Sequence, residues 1–248
     1  MLLTEFAAFA LPLALFVGAV LYTSVGHAGA SAYIAIMTIF GLSPAVIRPT
    51  ALMLNVLVAA FISIRFIRNG YFDKRLALLV VMGAIPASFI GGFIQLPDHW
   101  YKPLVGLILL FAAFRLVVVG RTEQYDDARA PKGPIATLAG MGIGLVSGLT
   151  GTGGGIFLSP LVVLKRWTTL KQTSGTAAVF ILCNSLSGLL GNYAAVQSLP
   201  PLLPIYAVAV LAGAVLGTTL GIRRFDNQGL RWCLSAVLVI AGAKFLFD

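Results

Sequence analysis

Long apolar stretches separated by short polar ones run the length of the chain. Stretches that could cross a bilayer as helices cover residues 6–25, 49–67, 76–96, 104–119, 135–150, 174–197, 203–222 and 230–247, where a crossing takes about 20 residues. The 135–150 run is short by that measure, and 104–119 reaches it only with Tyr101 to Pro103 added. Two further apolar pieces, 31–42 and 156–164, are half-length. Apolar character persists from Phe6 to Phe40, which as one helix would measure about 52 Å at about 1.5 Å per residue. The hydrocarbon layer is about 30 Å thick, so the pattern predicts a break, and Gly26-His27-Ala28-Gly29-Ala30 supplies it. The stretch from Ile135 to Leu164 has the same difficulty and is interrupted at Gly151-Thr152-Gly153-Gly154-Gly155. The first run lacks a basic leader and carries Glu5, so it reads as the first membrane segment and not as a cleavable signal.

The halves repeat each other. Gly26 to Gly29 fall on Gly151 to Gly154 at an offset of 125, Thr50-Ala51 on Thr176-Ala177 at 126, and Gly83-Ala84 with Gly91 on Gly213-Ala214 with Gly221 at 130. Ordered landmarks with a slowly drifting offset indicate two diverged copies. Small residues four apart, as at Gly83, Ala87 and Gly91 or at Gly213, Gly217 and Gly221, let helices approach closely in lipid. The division expected is a membrane repeat over 1–119, a polar linker over 120–134 and a second repeat over 135–248, forming one membrane domain.

Composition agrees with this reading. Of the 248 residues, 59% are hydrophobic and 10% charged, and the mean hydropathy is +0.97. Soluble domains are about 25% charged, so a soluble fold is excluded. The net charge of +9 is not a nucleic-acid footprint, because the basic residues lie in short loops. Fourteen of the 17 cluster at 65–75, 115–132, 165–171 and 223–231, which the positive-inside rule places in the cytoplasm. Loops 41–48 and 97–103 are then outside. Since 120–134 and 165–173 are both inside, the chain between them enters and leaves on one side, as a span plus a returning half-helix would. Each copy becomes a glycine-broken re-entrant hairpin plus three spans, and the copies are inverted, with both termini outside. The architecture expected is an all-α integral membrane protein of about eight transmembrane helices, with Trp100, Trp167 and Trp232 at segment edges in an interfacial belt.

All eight carboxylates, Glu5, Asp73, Asp98, Glu123, Asp126, Asp127, Asp226 and Asp248, fall in loops or at segment ends. A metal site, a carboxylate pair or a cation site within the membrane therefore lacks its ligands. Cys183 and Cys233 have no metal-ligand spacing, and no cofactor is expected. What the breaks do offer is the start of a returning half-helix, with exposed backbone N–H groups and about half a positive charge, a setting that holds anions. Candidate anion contacts are Gly26, His27, Ala28, Gly29 and Ser31 in the first break, and Gly151, Thr152, Gly153, Gly154 and Gly155 in the second.

Nearby polar residues each admit two readings. His27 is either an anion or proton contact or a hydrogen-bonded packing residue. Thr50 and Thr176, read as the starts of spans after Pro49 and Gly175, are hydroxyl donors to an oxyanion or helix caps. Asn55 and Asn184 are substrate contacts or links between helices. Arg48, near an outer end, snorkels or acts as a gate.

The segments LYTSVGHAGASAYIAIMTIFGLSPAVIRPTALMLN and GLVSGLTGTGGGIFLSPLVVL, the latter followed by TSGTAAVFILCNS, resemble the two half-signatures of the TauE/SafE family, also called the toluenesulfonate uptake permease family. The G-x-G-G-G pattern is intact at Gly151 to Gly155, whereas His27, Ala28 and Ala30 replace it in the first half. The resemblance implies about eight membrane segments, a bacterial inner membrane, and transport of sulfite, a sulfonate or a related organosulfur anion. The function expected is secondary transport of such an anion by alternating access, with export as the direction. The alternatives are a passive anion channel and a membrane enzyme acting on a lipid phosphate, although the intramembrane acids and arginines of such an enzyme are missing. A small anion and the lipid bilayer are the expected partners, nucleic acid is not, and homo-oligomer formation is left open.

Overall fold

The structure is a computed structural model that describes residues 2–24, 26–118, 128–193, 199–223 and 228–247. Most of the linker expected over 120–134 lies outside those residues. Among the described residues the chain forms ten helices and no strand: α1 (Leu2–Ser24), α2 (Ala30–Ile39), α3 (Pro44–Arg68), α4 (Lys74–Phe93), α5 (Asp98–Val118), α6 (Gly133–Thr150), α7 (Gly155–Leu164), α8 (Leu170–Gly191), α9 (Leu203–Arg223) and α10 (Gln228–Phe247). Five of them, α3, α4, α6, α8 and α9, are long and apolar enough to cross a membrane.

The helix boundaries follow local chemistry. Both long apolar runs break at the expected glycines, and the half-length helices α2 and α7 begin at Ala30 and Gly155. Two expectations are corrected. Thr50 and Thr176 are not at helix starts: α3 begins five residues before Pro49, with Pro44 in its first turn after Ser43, and α8 begins at Leu170 after Thr169, whose hydroxyl accepts from Gln172 N. Proline fits a first turn because that N–H has no partner in the helix, and a second proline at Pro49 is carried within α3. Trp167 does not face outward as an interfacial belt would have it; it is 8% exposed, in an apolar cluster with Leu76, Leu158 and Phe180. Trp100 and Trp232 are exposed.

Glycine seams set the helix pairing. α4 and α6 run side by side in the same direction: a Cβ on Gly140 would overlap Val80 O, one on Gly144 would sit 2.6 Å from Ala84 O, and one on Gly148 would overlap Ser88 O. α9 runs along α1 in the same sense, Gly213 facing Phe16 and Gly217 facing Val20. α5 and α10 are antiparallel, with Gly106 against Gly242 and Ser235 Oγ donating to Ala113 O at 3.1 Å. α3 and α8 are also antiparallel, Asn55 meeting Ser185 at one end and Phe66 meeting Gly175 at the other. The large apolar side chains point outward instead. On α4, Leu78, Met82, Ile85, Phe89 and Phe93 are exposed, while Gly83, Ala84, Ala87 and Gly91 are buried. This is inside-out relative to a soluble helix and suits a lipid surrounding, where close backbone approach and not apolar burial holds helices together.

Candidate functional site

The two breaks meet in the interior. A Cβ on Gly155, the first residue of α7, would stand 3.4 Å from His27 Cδ2 in the opposite break. His27 itself is half-buried, with its N–H on Tyr22 O at 3.0 Å and its ring edge-on to Tyr22.

Each break depends on backbone that only glycine adopts readily. Gly26 and Gly29 have φ of 83° and 104°, and Gly151, Gly153 and Gly154 have 83°, 73° and 79°. Gly155 serves a different need, close approach, since a Cβ there would overlap Ile181 Cδ1. Ala28 is fully buried and its carbonyl accepts from Tyr33 Oη at 2.7 Å. Thr152 is buried and shares a 3.1 Å hydrogen bond with Thr150.

The two asparagines tie the breaks to the long helices, so both serve as helix links. Asn55 Oδ1 accepts from Ala30 N, the first N–H of α2, at 3.2 Å, and its Nδ2 donates to Ser185 Oγ at 2.8 Å. Asn184 Nδ2 donates to Ser147 Oγ at 2.6 Å and to Gly153 O at 3.2 Å, and Ser88 Oγ donates to Asn184 O at 2.8 Å. Buried polar groups normally have partners. Several here have none among the described residues, namely Asn184 Oδ1 and Thr50 Oγ1. The buried hydroxyls of Tyr22 and Ser31 likewise have no hydrogen-bond partner among the described residues.

Thr176 does not belong to this group. It lies eight residues, about 12 Å along α8, from Asn184, and its Oγ1 accepts from Asp73 N at 3.1 Å. It fastens the loop between α3 and α4, where a Cβ on neighbouring Gly175 would overlap Tyr71 O.

Arg48 departs most from expectation. It does not snorkel but is 6% exposed. Its Nε donates to Gly148 O at 3.2 Å, Nη1 to Ile94 O at 3.0 Å, and Nη2 to Gly91 O, Gly92 O and Gly148 O at 2.6, 2.8 and 2.7 Å. A Cβ on Gly151 would lie 3.2 Å from both its Cγ and its carbonyl oxygen. An arginine surrounded by backbone carbonyls leaves no motif in a sequence; the only signal available was a lone basic residue within an apolar outer segment.

Comparison with known proteins shows the family. The family model described as Sulfite exporter TauE/SafE matches residues 10–245. The chain is 40% identical over 243 residues to "Probable membrane transporter protein y4hK" of Sinorhizobium fredii (strain NBRC 101917 / NGR234), covering 97% of this chain and 98% of that one. It is 21% identical over 230 residues to "Probable membrane transporter protein YunE" of Bacillus subtilis (strain 168), covering 83% and 82%. It is 22% identical over 257 residues to "Probable membrane transporter protein YjnA" of the same organism, covering 94% and 96%. No solved structure matches.

Proposed function

The chain belongs to the TauE/SafE family of membrane transporters, and from that premise we propose that it moves a small sulfur-containing oxyanion, such as sulfite or an organosulfonate, across a bacterial inner membrane by alternating access, with export as the direction. The observation that carries this reading is the meeting of the two glycine breaks, with α2 and α7 both starting at the junction where His27 adjoins Gly155. Two half-helix N-termini that converge give an anion backbone donors and partial positive charge without a buried acid to oppose it.

The helix pairing supports eight transmembrane helices arranged as two inverted repeats. Under the sequence repeat, α3 corresponds to α8 and α5 to α10, and each of these pairs is antiparallel. The parallel pair of α4 with α6 corresponds to the parallel pair of α9 with α1. A rotation axis in the membrane plane produces this pattern, and the glycine seams are the surfaces along which the repeats rock. In this reading, which follows the charge pattern, both termini lie outside.

Purified protein should gain thermal stability from sulfite, thiosulfate or sulfoacetate, because a ligand that binds only the folded form raises Tm. Zwitterionic taurine serves as the comparison. Flux in proteoliposomes should saturate and be stimulated by anion on the opposite side. Flux linear in concentration would make the protein a channel, and absence of both effects would remove the anion reading.

A further inference from the structure

In a re-entrant hairpin the descending helix ends where the returning helix begins. The negative carbonyl end of one therefore sits beside the positive amide end of the other, and the two fields oppose each other. An anion gains from the break only if the carbonyl end is neutralised. At the second break this has happened. Arg48 donates twice to Gly148 O in the last turns of α6, and three more times to Gly91, Gly92 and Ile94 at the adjacent end of α4. The five bonds end on four backbone carbonyls and none on a carboxylate, so these partners bring no negative charge to the guanidinium, which packs against Gly151.

Among the described residues the first break shows no such arrangement. At the repeat offset of 126, the position equivalent to Arg48 is Ser174, and Ser174 does face Gly26, its Oγ lying 2.8 Å from where a Cβ would be. The place is the same and the residue that occupies it carries no charge. A second, independent difference points the same way. At Ala30 the first N–H of α2 is taken by Asn55 Oδ1. The equivalent of Asn55 at that offset is Ile181, which lies against Gly155 and has no acceptor to offer, so α7 starts without a side-chain cap. Beside it, Asn184 Oδ1 is fully buried without a partner among the described residues, an acceptor that a ligand hydrogen or a water would fill.

We propose that the two breaks are unequal, that the anion is held chiefly by the second, and that Arg48 is the positioning residue that gives that break its positive field by neutralising the carbonyl ends of α6 and α4. Arg48 acts through those helix ends and does not touch the substrate. The inference rests on the anion-transport reading above.

The test is sulfite flux by the full chain in proteoliposomes, with Arg48→Gln, Arg48→Lys and Ile94→Glu. Loss of the charge in Arg48→Gln should raise KM for sulfite by about tenfold or more while the maximal rate stays within about threefold. Arg48→Lys, which keeps the charge but not the planar fork, should hold the KM change to about threefold. Ile94→Glu leaves Arg48 in place and adds a carboxylate at an exposed position whose carbonyl Arg48 already binds; it should raise KM severalfold, and it decides the matter if Arg48→Gln does not fold. A KM within about twofold of wild type in the folded Arg48→Gln protein, or in Ile94→Glu where that is the deciding variant, overturns the inference and leaves the transporter reading intact. Equal KM damage in the Lys and Gln variants makes Arg48 a geometric clasp and also overturns it. Wild-type protein that neither binds nor moves sulfite, thiosulfate or sulfoacetate defeats both readings.

Discussion

The first hairpin, α1 with α2, has a bond of its own across the break and one outside tie there, whereas the second, α6 with α7, is held at its break from three neighbouring helices. In the first, Tyr33 bonds Ala28 O from within the same hairpin, and the N–H that opens α2 is occupied by Asn55. In the second, Asn184 holds Gly153 O from α8, Arg48 holds the end of α6 from α3, and Tyr101 of α5 donates to Thr150 O at 3.1 Å. The two repeat units have thus diverged in how their breaks are held, the second depending on more of its neighbours than the first. Duplication supplies the geometry twice, and the chemistry can then be spent on one copy.

The largest effect should come from filling the second break. Gly153→Val should reduce sulfite flux in proteoliposomes by about a hundredfold or more, because its Cβ would overlap Asn55 Nδ2 while φ is positive. Gly26→Ala in the first break also has a positive φ, of 83°, but its Cβ would meet the Ser174 side chain at 2.8 Å without the overlap found at Gly153, and flux should fall by about tenfold or less. Equal losses would end the distinction between the hairpins.

Next in size is the seam that carries the second hairpin. Gly144→Leu drives a side chain into the α4 backbone and should lower stability in detergent by about 3 kcal/mol or more. Gly142→Leu, on the same helix with open space around it, should change stability by less than about 0.5 kcal/mol. A smaller contrast separates the asparagines. Asn184→Leu should cost about 1–2 kcal/mol and also slow flux, since it releases Gly153, while Asn55→Leu should cost a similar amount in stability with the smaller effect on flux. Lys244→Met removes the 2.9 Å bond from Nζ to Thr38 O at the end of α2, and Tm should fall by the equivalent of about 0.5–1 kcal/mol with sulfite KM unchanged.

The breaks were legible in the sequence because they answer a length problem. A 35-residue apolar stretch cannot cross one bilayer straight, and glycine is the residue that bends it, so α2 and α7 start within one residue of Ser31 and Ile156. The pairing partners were less legible. Pro49 and Gly175 look like helix starts, yet the helices begin earlier because one proline is carried within α3 and Gly175 exists to let Tyr71 O approach α8. Arg48 was hidden most fully. Its acceptors are backbone carbonyls 43 to 100 residues away, and every residue has a carbonyl, so no side-chain pattern announces the contact. The asymmetry between Arg48 and Ser174 is visible in the sequence only once the fold shows that both face a broken helix.

The exchange of seams between halves has a consequence for biosynthesis. α4 finds its glycine-matched neighbour in α6, α1 waits for α9, and the far end of α2 is fastened by Lys244. While the ribosome is still making the second half, the first is in lipid with its narrow glycine stripes uncovered and its carbonyl ends bare. The nascent chain therefore cannot settle half by half. It must hold an unfinished assembly in the bilayer until the last helices arrive, and two separately expressed halves should become stable only in each other's presence.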